Sequence, residues 1–91
     1  MSAHKFPAEM RAKELEAVLP ELEAYYQNAD TIEFDGSDIQ RVDTAGMQAL
    51  VVFANHLRLE SREFKWVATS PVLVESAECM GASELLELPA A

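Results

Sequence analysis

Basic residues are scarce in this 91-residue chain: 7 Lys and Arg stand against 16 Asp and Glu, a formal net charge of −9. Without a cationic surplus there is little to displace counterions from phosphates, so nucleic acid is excluded as an expected partner. An anionic membrane surface is excluded on the same ground, whereas a basic protein partner steered in by the acidic field is compatible. Cys79 is the single cysteine, which rules out a disulfide framework and a Cys-based zinc site. Three glycines cannot build a phosphate-cradling loop, and there is no Gly-x-Ser-x-Gly elbow. The two histidines, His4 and His56, lie far apart in the chain, so no ligand or catalytic pair is expected. No apolar run reaches membrane-spanning length, and the opening MSAHKFPAEMRAK lacks the apolar core of a secretory signal. A cytoplasmic, non-enzymatic protein without cofactor or metal is therefore expected.

Half the residues are hydrophobic and a quarter charged, an ordinary globular composition. With no repeat, linker or low-complexity stretch, residues 1–91 read as a single domain, its core within about 5–88. Phe6 and Met10 flank Pro7, which marks 4–10 as a short edge strand or an extended arm. From Lys13 to Gln27, Leu15, Val18, Leu19, Leu22, Tyr25 and Tyr26 recur at helical spacing. Pro20 either kinks that helix or opens a shorter one. Thr31–Asp35 alternates, Ile32 and Phe34 against Glu33 and Asp35, as a strand with one buried face does. After a loop over 36–41, Met47, Leu50, Val51, Ala54 and Leu57 mark a helix over 45–59 that is apolar enough to pack on a sheet. Residues 63–69 read as the next strand, with Phe64, Trp66 and Ala68 on one face. Ser70 as cap, Pro71 at the first position and Gly81 as stop delimit a further helix, its core face being Leu73, Ala77 and Met80. Residues 84–88 read as a final strand or half-turn ended by Pro89. Strands alternating with helices imply an α/β fold, a small mixed β-sheet with helices packed against it.

In such sheets, partners meet the loops at the carboxyl ends of the strands, which is where Asp35–Thr44 falls. Two readings of Thr44 stand side by side. Thr44 or Asp43 caps the following helix; or Thr44 is phosphorylated, since free N–H groups and the dipole of a helix N-terminus favour a phosphate. Gly46 either leaves backbone open to an approaching partner or allows tight helix–strand packing. Asp35, Ser37 and Asp38 fit a turn, because the carboxylate ladder and closing Glu of a calcium loop are missing. Asp35 ends a strand as the acceptor of a receiver domain does, but no acidic pair ends an earlier strand.

The stretch IEFDGSDIQRVDTAGMQAL, with FKWVATSPVLVESAECMGASELLEL downstream, resembles the STAS domain of sulfate transporters and anti-sigma-factor antagonists. The resemblance implies a bacterial regulatory module in signal transduction. An anti-sigma serine/threonine kinase would phosphorylate Thr44 and so switch its protein partner. Asp43 matches the motif acid, Gly46 its glycine and Met47 the apolar residue that follows. Ala45 departs from the second hydroxyl common in the family, and Thr replaces Ser at the acceptor. Short members also resemble STAS subunits that sit on the ATPase of lipid-transport ABC systems, or that accompany chemotaxis signalling, with an unphosphorylated interface at the same loop. The expected partner-binding face is thus Asp35, Ser37, Asp38, Asp43, Thr44, Ala45, Gly46 and Met47. A distant alternative is an acyl-carrier protein, whose Asp-Ser-Leu attachment site VDTAGM faintly resembles and whose fold is all helical.

Overall fold

Ile32, Phe34 and Gly36 point inward and Glu33 and Asp35 are half-buried, so the alternation written in the sequence forms the central strand. The computed structural model describes residues 3–88. In it this strand, β3 (Ile32–Gly36), lies between β1 (His4–Lys5) and β5 (Phe64–Thr69) in a parallel sheet. A second pair, β2 (Glu9–Met10) with β4 (Arg41–Val42), is also parallel. Residues 4–10 thus supply an edge strand and a second short strand, with Pro7 between the two ladders, where its missing N–H costs no strand pairing. The expected sheet with helices against it is present, and every strand pair among the described residues is parallel.

The register runs Ile32–Phe64 and Phe34–Trp66, then shifts so that Asp35 meets Ala68. Val67 is the extra residue, half exposed, and the bulge sets Ala68 beside Asp35 rather than in line with Trp66. The expected common face of Phe64, Trp66 and Ala68 therefore ends at Trp66.

Helix α1 (Leu15–Asn28) follows a 3₁₀ turn at Ala12–Glu14. Pro20 lies inside α1 rather than opening a shorter helix. Pro20 and Glu16 are both exposed, so the carbonyl that Pro20 leaves without a donor faces water. Val18 and Leu22 are buried, whereas Leu19 is exposed. Helix α2 (Thr44–Leu59) buries Gly46, Met47, Leu50, Ala54 and Leu57. Helix α3 (Pro71–Cys79) is capped by the buried Ser70, whose hydroxyl accepts from the Leu73 N–H at 3.1 Å. Two residues beyond its last turn lies the expected stop, Gly81, in the left-handed region at φ 69°, where a Cβ would be strained.

Two expectations change near the C-terminus. Met80 is exposed, not part of the core face; the helix stops at Cys79, and Val74 is buried instead. Of the strand and half-turn expected over 84–88 the strand is absent, and residues 83–86 form a single helical turn, α4 (Ser83–Leu86); Pro89 lies outside the described residues. Tertiary donors hold that turn. The Trp66 indole N–H donates to the Leu86 carbonyl at 2.9 Å, and the Arg58 guanidinium binds the Leu85 carbonyl and the Glu87 carboxylate. Leu86 then plugs a core that includes Phe6, Met10, Ile32, Ile39, Met47, Leu57 and Leu73.

Candidate partner-binding face

The start of α2 is built by Asp43. Its backbone is extended, as a cap requires, and its Oδ1 accepts from the Gly46 N–H at 2.8 Å. The other oxygen, Oδ2, accepts from the Ala12 N–H at 3.1 Å, 31 positions earlier in the chain. One carboxylate therefore ties the N-terminus of α2 to the entry of α1. The Gly46 N–H first, then that of Ala12, holds the Asp43 carboxyl below its ordinary value of 3.8, with the nearby Arg11 charge adding to the effect. Of the two capping candidates, Asp43 does the work. Thr44 is the first residue of the helix and is exposed, and its side chain has no hydrogen-bond partner among the described residues.

Gly46 serves packing rather than approach. It is buried, and a Cβ there would meet the Met10 carbonyl oxygen at 1.9 Å and the Met10 carbonyl carbon at 2.8 Å. Glycine is what lets α2 lie against the backbone of β2. Met47, the next residue, is 2% exposed. Gly46 thus drops out of the expected face, and Met47 contributes to it only as the buried floor of a groove beside Thr44.

Asp35, Ser37 and Asp38 belong to a different patch. The Ser37 hydroxyl and N–H both donate to Asp35 Oδ1, at 2.6 and 2.9 Å, a turn closed further by the Ile39 N–H on the Gly36 carbonyl at 3.2 Å. The Ser37 hydroxyl, more than its N–H, lowers the Asp35 pKa. Asp38 pairs with Lys5 at 3.3 Å and borders a shallow depression with Phe6, Val18 and Glu21 at the start of α1. No hydrogen bond or ion pair among the described residues joins this turn to Thr44.

What surrounds Thr44 and Ala45 instead is apolar. Ala45 borders a groove of about 570 Å³ between α1 and α2, with Leu19, Tyr26, Val52 and Phe53 in its walls. Thr44 stands at a second groove, about 350 Å³, between α2 and the α3–α4 corner, where Val51, Val52, Met80 and Leu85 converge. Val52 is the ridge between the two grooves and is 67% exposed; Leu19, Met80 and Leu85 are each more than 40% exposed. Four exposed apolar side chains are thus gathered on this one surface. The helical period carries this signal in part: Val52 stands two residues, or about 200°, from Leu50 on the wheel. Met80 and Leu85 come to the same groove only through the turn after α3.

At the far end of the first groove, the Tyr26 hydroxyl lies 3.0 Å from His56 Nε2, which is also 3.3 Å from the Glu60 carboxylate. His4 is remote from it. His4 pairs with Phe34 in the ladder and lies edge-on to Phe6. Burial lowers its pKa, with Glu21 opposing. Among the described residues no group of His, Cys, Asp or Glu is placed to hold a metal ion, and no helix is long and apolar enough to cross a membrane. No protein-family model, curated protein or solved structure matches the chain.

Proposed function

We propose that this chain is a STAS-like, non-enzymatic interaction module of the cytoplasm. It binds a protein partner through the exposed side of α2, and phosphorylation of Thr44 releases that partner. The observation that carries the proposal is the position of Thr44: exposed, at the first turn of a helix that Asp43 already caps, and on the lip of an apolar groove. A phosphate there leaves the Asp43 clamp without a role for the Thr44 hydroxyl to lose, and it meets the favourable end of the helix dipole. It adds about −1.5 to −2 charges to the binding face. Like-charge juxtaposition across an interface costs several kcal/mol, and about 1.4 kcal/mol is a tenfold change in affinity. The switch therefore needs no refolding. The test incubates the protein with anti-sigma kinases and ATP and maps phosphate by mass spectrometry. Modification at Thr44 with loss of the complex is expected; modification elsewhere, or none, removes the switch.

A second reading keeps the face and drops the phosphate: a constitutive subunit, as on the ATPase of a lipid-transport ABC system or in a chemotaxis complex. The width of the apolar surface on both sides of Val52 favours it, since a permanent interface is more hydrophobic than a transient one. Both readings predict that Thr44→Glu weakens binding. Only the constitutive one predicts a Thr44→Ala complex that no kinase treatment dissolves while the wild-type complex is equally insensitive. The acyl-carrier alternative requires an all-helical fold, and the sheet of β1, β3 and β5 leaves no room for it.

A further inference from the structure

We infer that the occupant of the α2 face is an amphipathic helix of the partner protein, with apolar side chains straddling Val52 and Lys or Arg along its flanks. The inference rests on the reading of α2 as the binding face and adds the chemistry of what binds. Val52 and Gln48 border both grooves, so the surface is a ridge between two furrows. A helix presents apolar side chains in two adjacent rows, at i, i+3, i+4 and i+7, and those rows fit on either side of such a ridge.

Charge decides the flanks. Beside the grooves stand Glu16 and Glu23 on α1, Glu78 two residues before Met80, and Glu84 next to Leu85, and neither groove has a Lys or Arg in its lining. None of these carboxylates takes part in an ion pair among the described residues. Glu23 lines the first groove itself. Helix α2 has no charged side chain before His56, and its Arg58 is already engaged by Glu87 and the Leu85 carbonyl. The face is thus apolar at its centre and bordered by carboxylates at Glu23 and Glu84, with no Lys or Arg lining either groove. A second copy would bring the same carboxylates against it, and an anionic lipid surface would be repelled likewise; a basic amphipathic helix meets both requirements at once.

The experiment selects random displayed peptides against the 91-residue chain. Winners are then measured by fluorescence anisotropy against wild type, Val52→Asp, Leu85→Asp and the triple variant Glu23→Gln/Glu78→Gln/Glu84→Gln. Each variant is first checked by circular dichroism; the substituted side chains are exposed, and two independent apolar-to-Asp changes guard against one that misfolds. The inference expects helical, net-basic winners with apolar residues at i, i+3/i+4 and i+7. Their affinity falls at least about tenfold in either Asp variant, and in the triple variant it falls with a shallower salt dependence. Neutral or acidic winners that still lose binding in the Asp variants overturn the charge assignment and leave the α2 face standing. Winners indifferent to Val52→Asp and Leu85→Asp overturn the face itself. An absence of winners, or a homodimer in sedimentation that Val52→Asp dissolves, overturns the basic helix as occupant.

Discussion

Replacing Gly46 by alanine tests the central packing claim, because two opposed effects of known size meet there. In an exposed helix the change is stabilising by about 0.8–1.0 kcal/mol, the propensity gap between the two residues. At this position the added Cβ falls 1.9 Å from the Met10 carbonyl oxygen. That is roughly 1 Å inside any contact real Cβ atoms make, against backbone that cannot rotate away as a side chain does. Relief requires α2 to move off β2, which also disturbs the hydrogen bond from the Gly46 N–H to Asp43. Overpacking of this kind costs about 1–3 kcal/mol or more, and a backbone obstacle belongs at the upper end. The net expectation is a loss of about 2 kcal/mol, or on the order of 10 °C in Tm for a domain of this size. Thermal and urea unfolding followed at 222 nm measure it. Gly81→Ala is the control: nothing lies within 4 Å of its added Cβ, so only the left-handed backbone contributes, about 1 kcal/mol. A Gly46→Ala protein as stable as wild type, or less affected than Gly81→Ala, would refute the close approach of α2 to Met10.

Two further predictions concern pH. The lowered pKa of Asp43 means that the unfolded chain binds its proton more readily; the stability it contributes is present above the ordinary value of 3.8 and disappears as pH falls through the folded value. Asp43→Asn should therefore be less stable than wild type at pH 7 and lose less on acidification below pH 4, which paired urea titrations read directly; parallel acid profiles would sink the clamp. His4 also has a lowered pKa, owing first to burial, so its contribution is present above 6.5 and is lost as pH falls below it. His4→Phe, which keeps the aromatic contact with Phe6, should flatten the stability profile between pH 7 and 5; an unchanged slope would show that the histidine charges freely in the folded state.

The split of the expected site has a specific cause. A stretch from Asp35 to Met47 looks continuous when written as sequence, but a turn and a short strand intervene. Between Asp38 and Thr44, Ile39 is buried in the core and Arg41–Val42 pairs with Glu9–Met10, so the two residues border different depressions. Their side chains emerge on different surfaces. Gly46 and Met47 failed as surface residues for a simpler reason: the helical period places them with Leu50 and Ala54, on the side that α2 buries.

Local physics alone determined much of this protein. The alternation of Ile32 and Phe34, the apolar period of α2, and the Ser70–Pro71 start and Gly81 stop of α3 each depend on neighbours a few residues away. Such features survive in any arrangement that buries the apolar side. Tertiary structure decided the rest, wherever a residue's partner is distant in the chain. Asp43 rather than Thr44 caps α2 because a second donor, the Ala12 N–H, fixes its carboxylate. Residues 83–86 turn as a helix because Trp66 and Arg58 hold their carbonyls. Val67 bulges because β3 and β5 change register. The apolar surface beside Thr44 exists because the turn after α3 brings Met80 and Leu85 to Val52, and no window of the sequence contains all three.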